Sequence, residues 1–148
     1  MAKATQAPAM TQDRIWRELS EAQTHVNAGL ERELYRQHQL RLSEYHALSS
    51  LADAVDGSLR MQDLADAVGL NQSSVTRIVA RLEAQGLCER CLCPDDRRGV
   101  FTRLHEAGRA RAEAAAPTYR KVLAEECARW GLVIEQTEAG LRFTLTGR

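Results

Sequence analysis

The chain has 148 residues, 44% of them hydrophobic and 27% charged, the size and balance of one globular domain that needs no disulfide or metal staple. Twenty basic side chains offset twenty acidic ones, which excludes a polycation, so any nucleic-acid contact has to come from local clusters of positive charge. No apolar run approaches the ~18 residues of a membrane span, and no basic segment leads into an apolar one at the N-terminus, so the expected location is the cytoplasm.

Residues 1–10 read as a disordered tail. From Thr11 a helical pattern begins, with Ile15, Leu19, Ala22 and Val26 in a narrow apolar seam of the kind that faces another helix. Gly29 is a weak point, after which Leu30 and Leu34 resume the pattern. Ser43 is the expected N-cap of a second helix, whose stripe is Ala47, Leu48, Leu51, Ala52 and Val55. Asp56-Gly57-Ser58 ends it with turn chemistry.

Leu64, Ala65 and Val68 lie on one face of a short helix closed by Gly69. Asn71 then caps a helix running to about Gln85, with Val75, Ile78, Val79 and Leu82 as its apolar face and Gly86 as its stop. Two helices across so short a turn make a helix-turn-helix. The period then changes. LCERCLC and VFTRL are strand-like runs, and Pro94-Asp95-Asp96-Arg97-Arg98-Gly99 between them is turn-forming, so a β-hairpin with a charged tip is predicted. A helix follows from Glu106, with Pro117 expected to kink or restart it, and Tyr119, Val122, Leu123 and Trp130 on its apolar side. The stretch after Trp130 carries no readable pattern. The fold class is therefore mainly α with a small β-hairpin wing, a winged helix-turn-helix with flanking dimerisation helices. Residues 43–105 are expected to form the winged lobe, flanked by 11–42 and 106–148, of which the Ile15 to Val26 seam is the part that reads as dimer-forming.

Opposite the buried stripe of the second helix of the pair stand Gln72, Ser73, Thr76, Arg77 and Arg81. Ser73, Arg77 and Arg81 recur every fourth residue and form a row about 12 Å long. Such a helix fits the major groove, where Gln reads adenine and Arg reads guanine, while Ser and Thr more often hold phosphates. Polar residues opposite an apolar stripe are also what any solvated helix shows. Arg97 and Arg98 at the hairpin tip shift the balance, because arginine on a thin ribbon enters the negative minor groove.

The runs LADAVGLNQSSVTRIVARLEAQGL and PDDRRGVFTRLHEAG resemble the core of MarR-type transcriptional regulators. The resemblance covers about residues 11–127 and is strongest from Leu64 to Gly108. The family's Asp-x-Arg wing motif stands as Asp96-Arg97-Arg98, and its Gly-x-x-x-x-Leu as Gly99 to Leu104. The resemblance implies a homodimer with interlocked terminal helices that binds a pseudo-palindromic double-stranded operator, with half-sites roughly 34–36 Å apart. It implies that Arg98 enters the minor groove braced by Asp96, and that Ser73, Ser74, Thr76, Arg77 and Arg81 map onto the recognition helix. It further implies a repressor released by a small aromatic or phenolic effector. Two features depart from the family pattern. Leu104-His105 replaces the usual Leu-Thr cap, and no long amphipathic helix is visible after Trp130.

No cofactor or metal site is expected. The thiols Cys88, Cys91, Cys93 and Cys127 are read as packing residues. Strand alternation sets Cys88 on the face opposite Cys91 and Cys93, which leaves no pair at disulfide geometry. His25, His38, His46 and His105 lack metal-ligand spacing, and His46 is expected at the surface. No nucleophile elbow, phosphate loop or paired catalytic carboxylates occur, so an enzyme is not expected. The alternatives are a winged helix that binds proteins instead of DNA, and a thiol-based redox-sensing regulator.

Overall fold

The computed structural model describes residues 11–92 and 99–146. The N-terminal tail and most of the hairpin tip, with Cys93, Asp96, Arg97 and Arg98, lie outside the described residues. The elements in order are α1 (Gln12–His38), α2 (Leu42–Asp53), β1 (Ser58–Arg60), α3 (Met61–Val68), α4 (Gln72–Ala84), β2 (Cys88–Leu92), β3 (Val100–Leu104), α5 (Glu106–Arg129), β4 (Leu132–Thr137) and β5 (Gly140–Leu145). They form a winged helix-turn-helix, mainly helical with a small antiparallel sheet. Among the described residues no helix is long and apolar enough to cross a membrane.

Two compact units are present. Residues 30–122 form the larger, built on a core of Leu34, Leu40, Leu48, Leu51, Leu64, Val75, Val79 and Leu82. The apolar stripes legible in α2, α3 and α4 are the faces turned into this core. α3 ends on Gly69 in the left-handed region, φ 67°, where a side chain would be strained. The sheet order is β1-β3-β2, all antiparallel, with Cys88 opposite Leu104 and Leu92 opposite Val100 in the β2–β3 hairpin. At its centre Thr102 is fully buried, and its hydroxyl donates to the Met61 thioether at 3.0 Å.

The smaller unit joins the chain up to Gly29 with the residues from Leu123 onward. Ala22, Val26, Cys127 and Leu132 are buried there. The His25 and Trp130 rings stack in parallel with centroids 3.6 Å apart. The hairpin β4–β5 pairs Ile134 with Phe143 and Glu135 with Arg142. Alternation puts Leu132, Ile134, Phe143 and Leu145 on one face and Glu135 and Arg142 on the other.

Several expectations are corrected. The first helix continues through Gly29, in keeping with the resumed pattern at Leu30 and Leu34, and the glycine serves close packing, since a side chain there would meet Glu126 Cγ at 2.6 Å. Ser43 does not cap α2. That helix begins at Leu42 with Arg41 as N-cap, and the Arg41 N–H donates to Glu44 Oε2 at 3.0 Å. Pro117 does not restart the helix, because it lies inside one continuous α5. Pro117 is exposed and lacks the N–H that would bond the Glu113 carbonyl. β1 was not anticipated, since three residues are too few to show a period. The segment after Trp130, assigned above to dimerisation helices, is the two-stranded hairpin.

Candidate nucleic-acid interface

Asn71 fixes the start of α4. Its Oδ1 accepts the Ser74 backbone N–H and the Ser73 hydroxyl, both at 2.8 Å, so the capping carbonyl satisfies one of the helix's free amides. The buried stripe Val75, Ile78, Val79 and Leu82 then sets the rotation of the helix. Gln72, Ser73, Thr76, Arg77 and Arg81 are thereby exposed, and Ser74 is half-buried.

These residues differ in what they are free to do. Ser73 is committed to Asn71, and the Thr76 hydroxyl donates to the Gln72 carbonyl at 2.8 Å. Arg77 has no intramolecular partner among the described residues and points to solvent. Arg81 is engaged differently, because its Nε donates to Glu44 Oε1 of α2 at 2.8 Å. The row Ser73, Arg77 and Arg81 therefore exists as a line on the helix but not as three equivalent free groups.

Gln72 and Thr76 share a cleft of about 320 Å³ with Arg60, Gln62, Arg90 and Val100. Arg60, Gln62 and Arg90 were missed in the sequence. Arg60 stands at the N-cap position of α3, and its guanidinium lies over the Phe101 ring, 5.1 Å from the centroid. Only the unforeseen pairing of β1 with β3 places it there, with Arg60 opposite Phe101. Arg90 is held by Glu83, which accepts its backbone N–H at 2.8 Å and its Nε at 2.9 Å. These bonds from Arg90 hold the Glu83 carboxyl below its ordinary range. The cleft thus combines two guanidinium groups, amides and a hydroxyl beside the tip-side half of the hairpin, a donor-rich surface suited to phosphate and base edges.

At the base of the hairpin, His105 precedes α5, and its hydrogen bonds run to the segment before β2 instead of capping the helix. Its N–H donates to the Leu87 carbonyl at 3.0 Å and its ring Nδ1–H to the Gly86 carbonyl at 3.1 Å.

His46 is not a surface residue. It is half-buried, with Nε2 3.3 Å from the Tyr119 hydroxyl. Tyr119 stacks on Tyr45 with centroids 4.6 Å apart. Burial holds the His46 imidazole below its ordinary pKa. Cys88 is buried, and loss of solvent pushes its thiol up to about 11. Burial raises Cys127 as well. Among the described residues no group of three or more His, Cys, Asp or Glu is placed to hold a metal.

A family model described as the MarR family matches residues 40–100. The chain is similar to a MarR family transcriptional regulator from Streptomyces coelicolor solved in complex with DNA, at 30% identity and a TM-score of 0.74, over 81% of this chain and 77% of that one. It is also similar to AbsC, a MarR family transcriptional regulator from the same organism, at 26% identity and a TM-score of 0.72, over 83% of this chain and 84% of that one. Bordetella bronchiseptica BpsR, whose DNA binding is regulated by 6-hydroxynicotinic acid, shares the fold at 24% identity and a TM-score of 0.68, over 76% of this chain and 83% of that one. No curated protein sequence matches the chain.

Proposed function

The chain belongs to the MarR family of transcriptional regulators, and from that premise we propose that it is a homodimeric repressor holding a pseudo-palindromic operator and released by a small aromatic or phenolic effector. The observation that carries the DNA contact is the face of α4, where Gln72, Thr76 and the unpartnered Arg77 stand beside the arginine-lined cleft. The S. coelicolor regulator in complex with DNA supports the same reading. With zero formal net charge on the whole chain, binding depends on this local surface and on Asp96, Arg97 and Arg98 of the wing.

The dimer reading draws on the smaller unit. Trp16 is 69% and Phe143 55% exposed, and they line one apolar cleft with Leu19, Val26 and Ile134. Contiguous apolar surface of this kind is characteristic of an interface. An aromatic effector is supported by Tyr45, His46 and Tyr119, which offer ring faces, a hydroxyl and an imidazole within one group. Binding there would shift the dimer away from the operator-bound arrangement, a coupling typically of about 1–3 kcal/mol.

The test is titration of the purified protein against the intergenic DNA upstream of its own gene across salt concentrations. The expected result is tighter binding than to random DNA, with a steep negative slope of log affinity on log salt. Arg77→Ala should weaken it, and selective loss at one base position would mark Arg77 as a base reader. Binding to neither DNA would leave the protein-interaction reading.

A further inference from the structure

We propose that Glu44 is a positioning residue for the recognition helix: its carboxylate holds Arg81 against the start of α2, so Arg81 sets where α4 lies and does not contact DNA. The inference rests on the DNA-binding reading above.

Glu44 sits in the first turn of α2, where an acid would ordinarily be solvated, yet it is 3% exposed. A buried carboxylate needs partners for its oxygens. Oε2 accepts the Arg41 backbone N–H at 3.0 Å, and Oε1 accepts Arg81 Nε at 2.8 Å. Arg81 therefore supplies the cation for a charge that has lost its water. Donation through Nε also fixes the plane of the guanidinium, which a purely electrostatic contact would not. Swinging Arg81 to a phosphate would strand the carboxylate.

Position along the helix argues the same way. In a helix-turn-helix the N-terminal residues of the recognition helix reach the base edges. Gln72 starts α4, and Arg81 lies in its last turn, about 13 Å further along the axis. Asn71 caps the start of the helix locally, whereas the Glu44–Arg81 pair ties its last turn to α2. Arg77, one turn earlier than Arg81, remains free for DNA.

The experiment compares wild type, Glu44→Gln, Arg81→Met, the double variant and Arg77→Met. Each is titrated with a fluorescein-labelled duplex of the upstream intergenic DNA, and with a random duplex of equal length, across salt. Urea unfolding is measured on the same samples. Glu44→Gln and Arg81→Met are each expected to lower affinity for the upstream duplex about tenfold while leaving the salt slope unchanged. Arg77→Met should reduce the slope if it holds a phosphate, by about one. In urea the double variant should be no less stable than Arg81→Met alone, because the stranded charge is gone.

A DNA contact by Arg81 predicts the opposite pattern. Glu44→Gln would then free the guanidinium and leave affinity unchanged or raised, and Arg81→Met would lower the slope by about one. Either result, or strictly additive losses in urea, overturns the proposal and leaves the DNA-binding reading intact. A wild-type chain that binds neither duplex overturns both.

Discussion

Gly108 faces the backbone carbonyl of Leu87 so closely that a methyl group on its Cα would collide with the oxygen. Leu104 crowds the same point, at 2.7 Å from that methyl position. The first turn of α5 therefore packs directly on the segment entering β2, beside the His105 bonds to Leu87 and Gly86. The obstacle is main chain, which cannot rotate aside as a side chain would. Alanine's helix-propensity gain over glycine is only about 1 kcal/mol, whereas overpacking costs about 1–3 kcal/mol. Gly108→Ala is expected to lower stability, and a urea midpoint at or above that of the wild type would contradict the packing described.

The proposed dimer makes Phe143 a sensitive position. It lies opposite Ile134 on the apolar face of the β4–β5 hairpin and lines the same cleft as Trp16. Phe143→Asp places a carboxylate where apolar surface would be buried, with a large desolvation penalty. Sedimentation should show a monomer where the wild type is a dimer, and operator affinity should fall along with the lost second half-site. A Phe143→Asp chain that remains dimeric would move the interface elsewhere.

His46 predicts a pH dependence with a definite sign. Burial lowers its pKa from the ordinary 6.5, so below about pH 6.5 the unfolded chain takes up a proton that the folded chain resists. The unfolded state then binds more protons, and stability falls as pH drops through the window between 6.5 and the lower folded value. Above that window the contribution is level. His46→Gln should remove this component, so the difference in urea stability between wild type and variant should change between pH 7.5 and 5.5. A constant difference would show that the imidazole titrates normally.

Cys88 is expected to be inert in the folded protein. Its thiol, raised to about 11, is buried and donates to the Val79 carbonyl of α4 at 3.9 Å, and thiolate fraction together with access governs reactivity. Iodoacetamide at pH 7.5 should modify Cys88 only after unfolding, as peptide mass analysis would show. Rapid native modification would return Cys88 to the redox-sensing reading.

Much of the helix-turn-helix is legible in the sequence, because its determinants are local. Asn71 caps, Gly69 adopts a left-handed turn, and Val75, Ile78, Val79 and Leu82 recur at the helical period. None of these needs a partner distant in the chain. The β2–β3 hairpin is legible for the same reason, through alternation on both sides of a turn-rich run.

What only the tertiary structure decided depends on residues far apart in sequence. Gly29 reads only as a weak point in the helix until Glu126 is seen filling the space above it. His46 reads as a surface residue until Tyr119, 73 positions on, meets it. β1 has no period of its own and exists because β3 supplies its hydrogen bonds, which is how Arg60 comes to the cleft. Arg81 shows the distinction most sharply. Helical spacing alone puts it in line with Arg77, but the buried carboxylate of Glu44, 37 residues earlier, claims its guanidinium. Periodicity determines which face a side chain occupies, whereas desolvated charge and close packing determine what it does there.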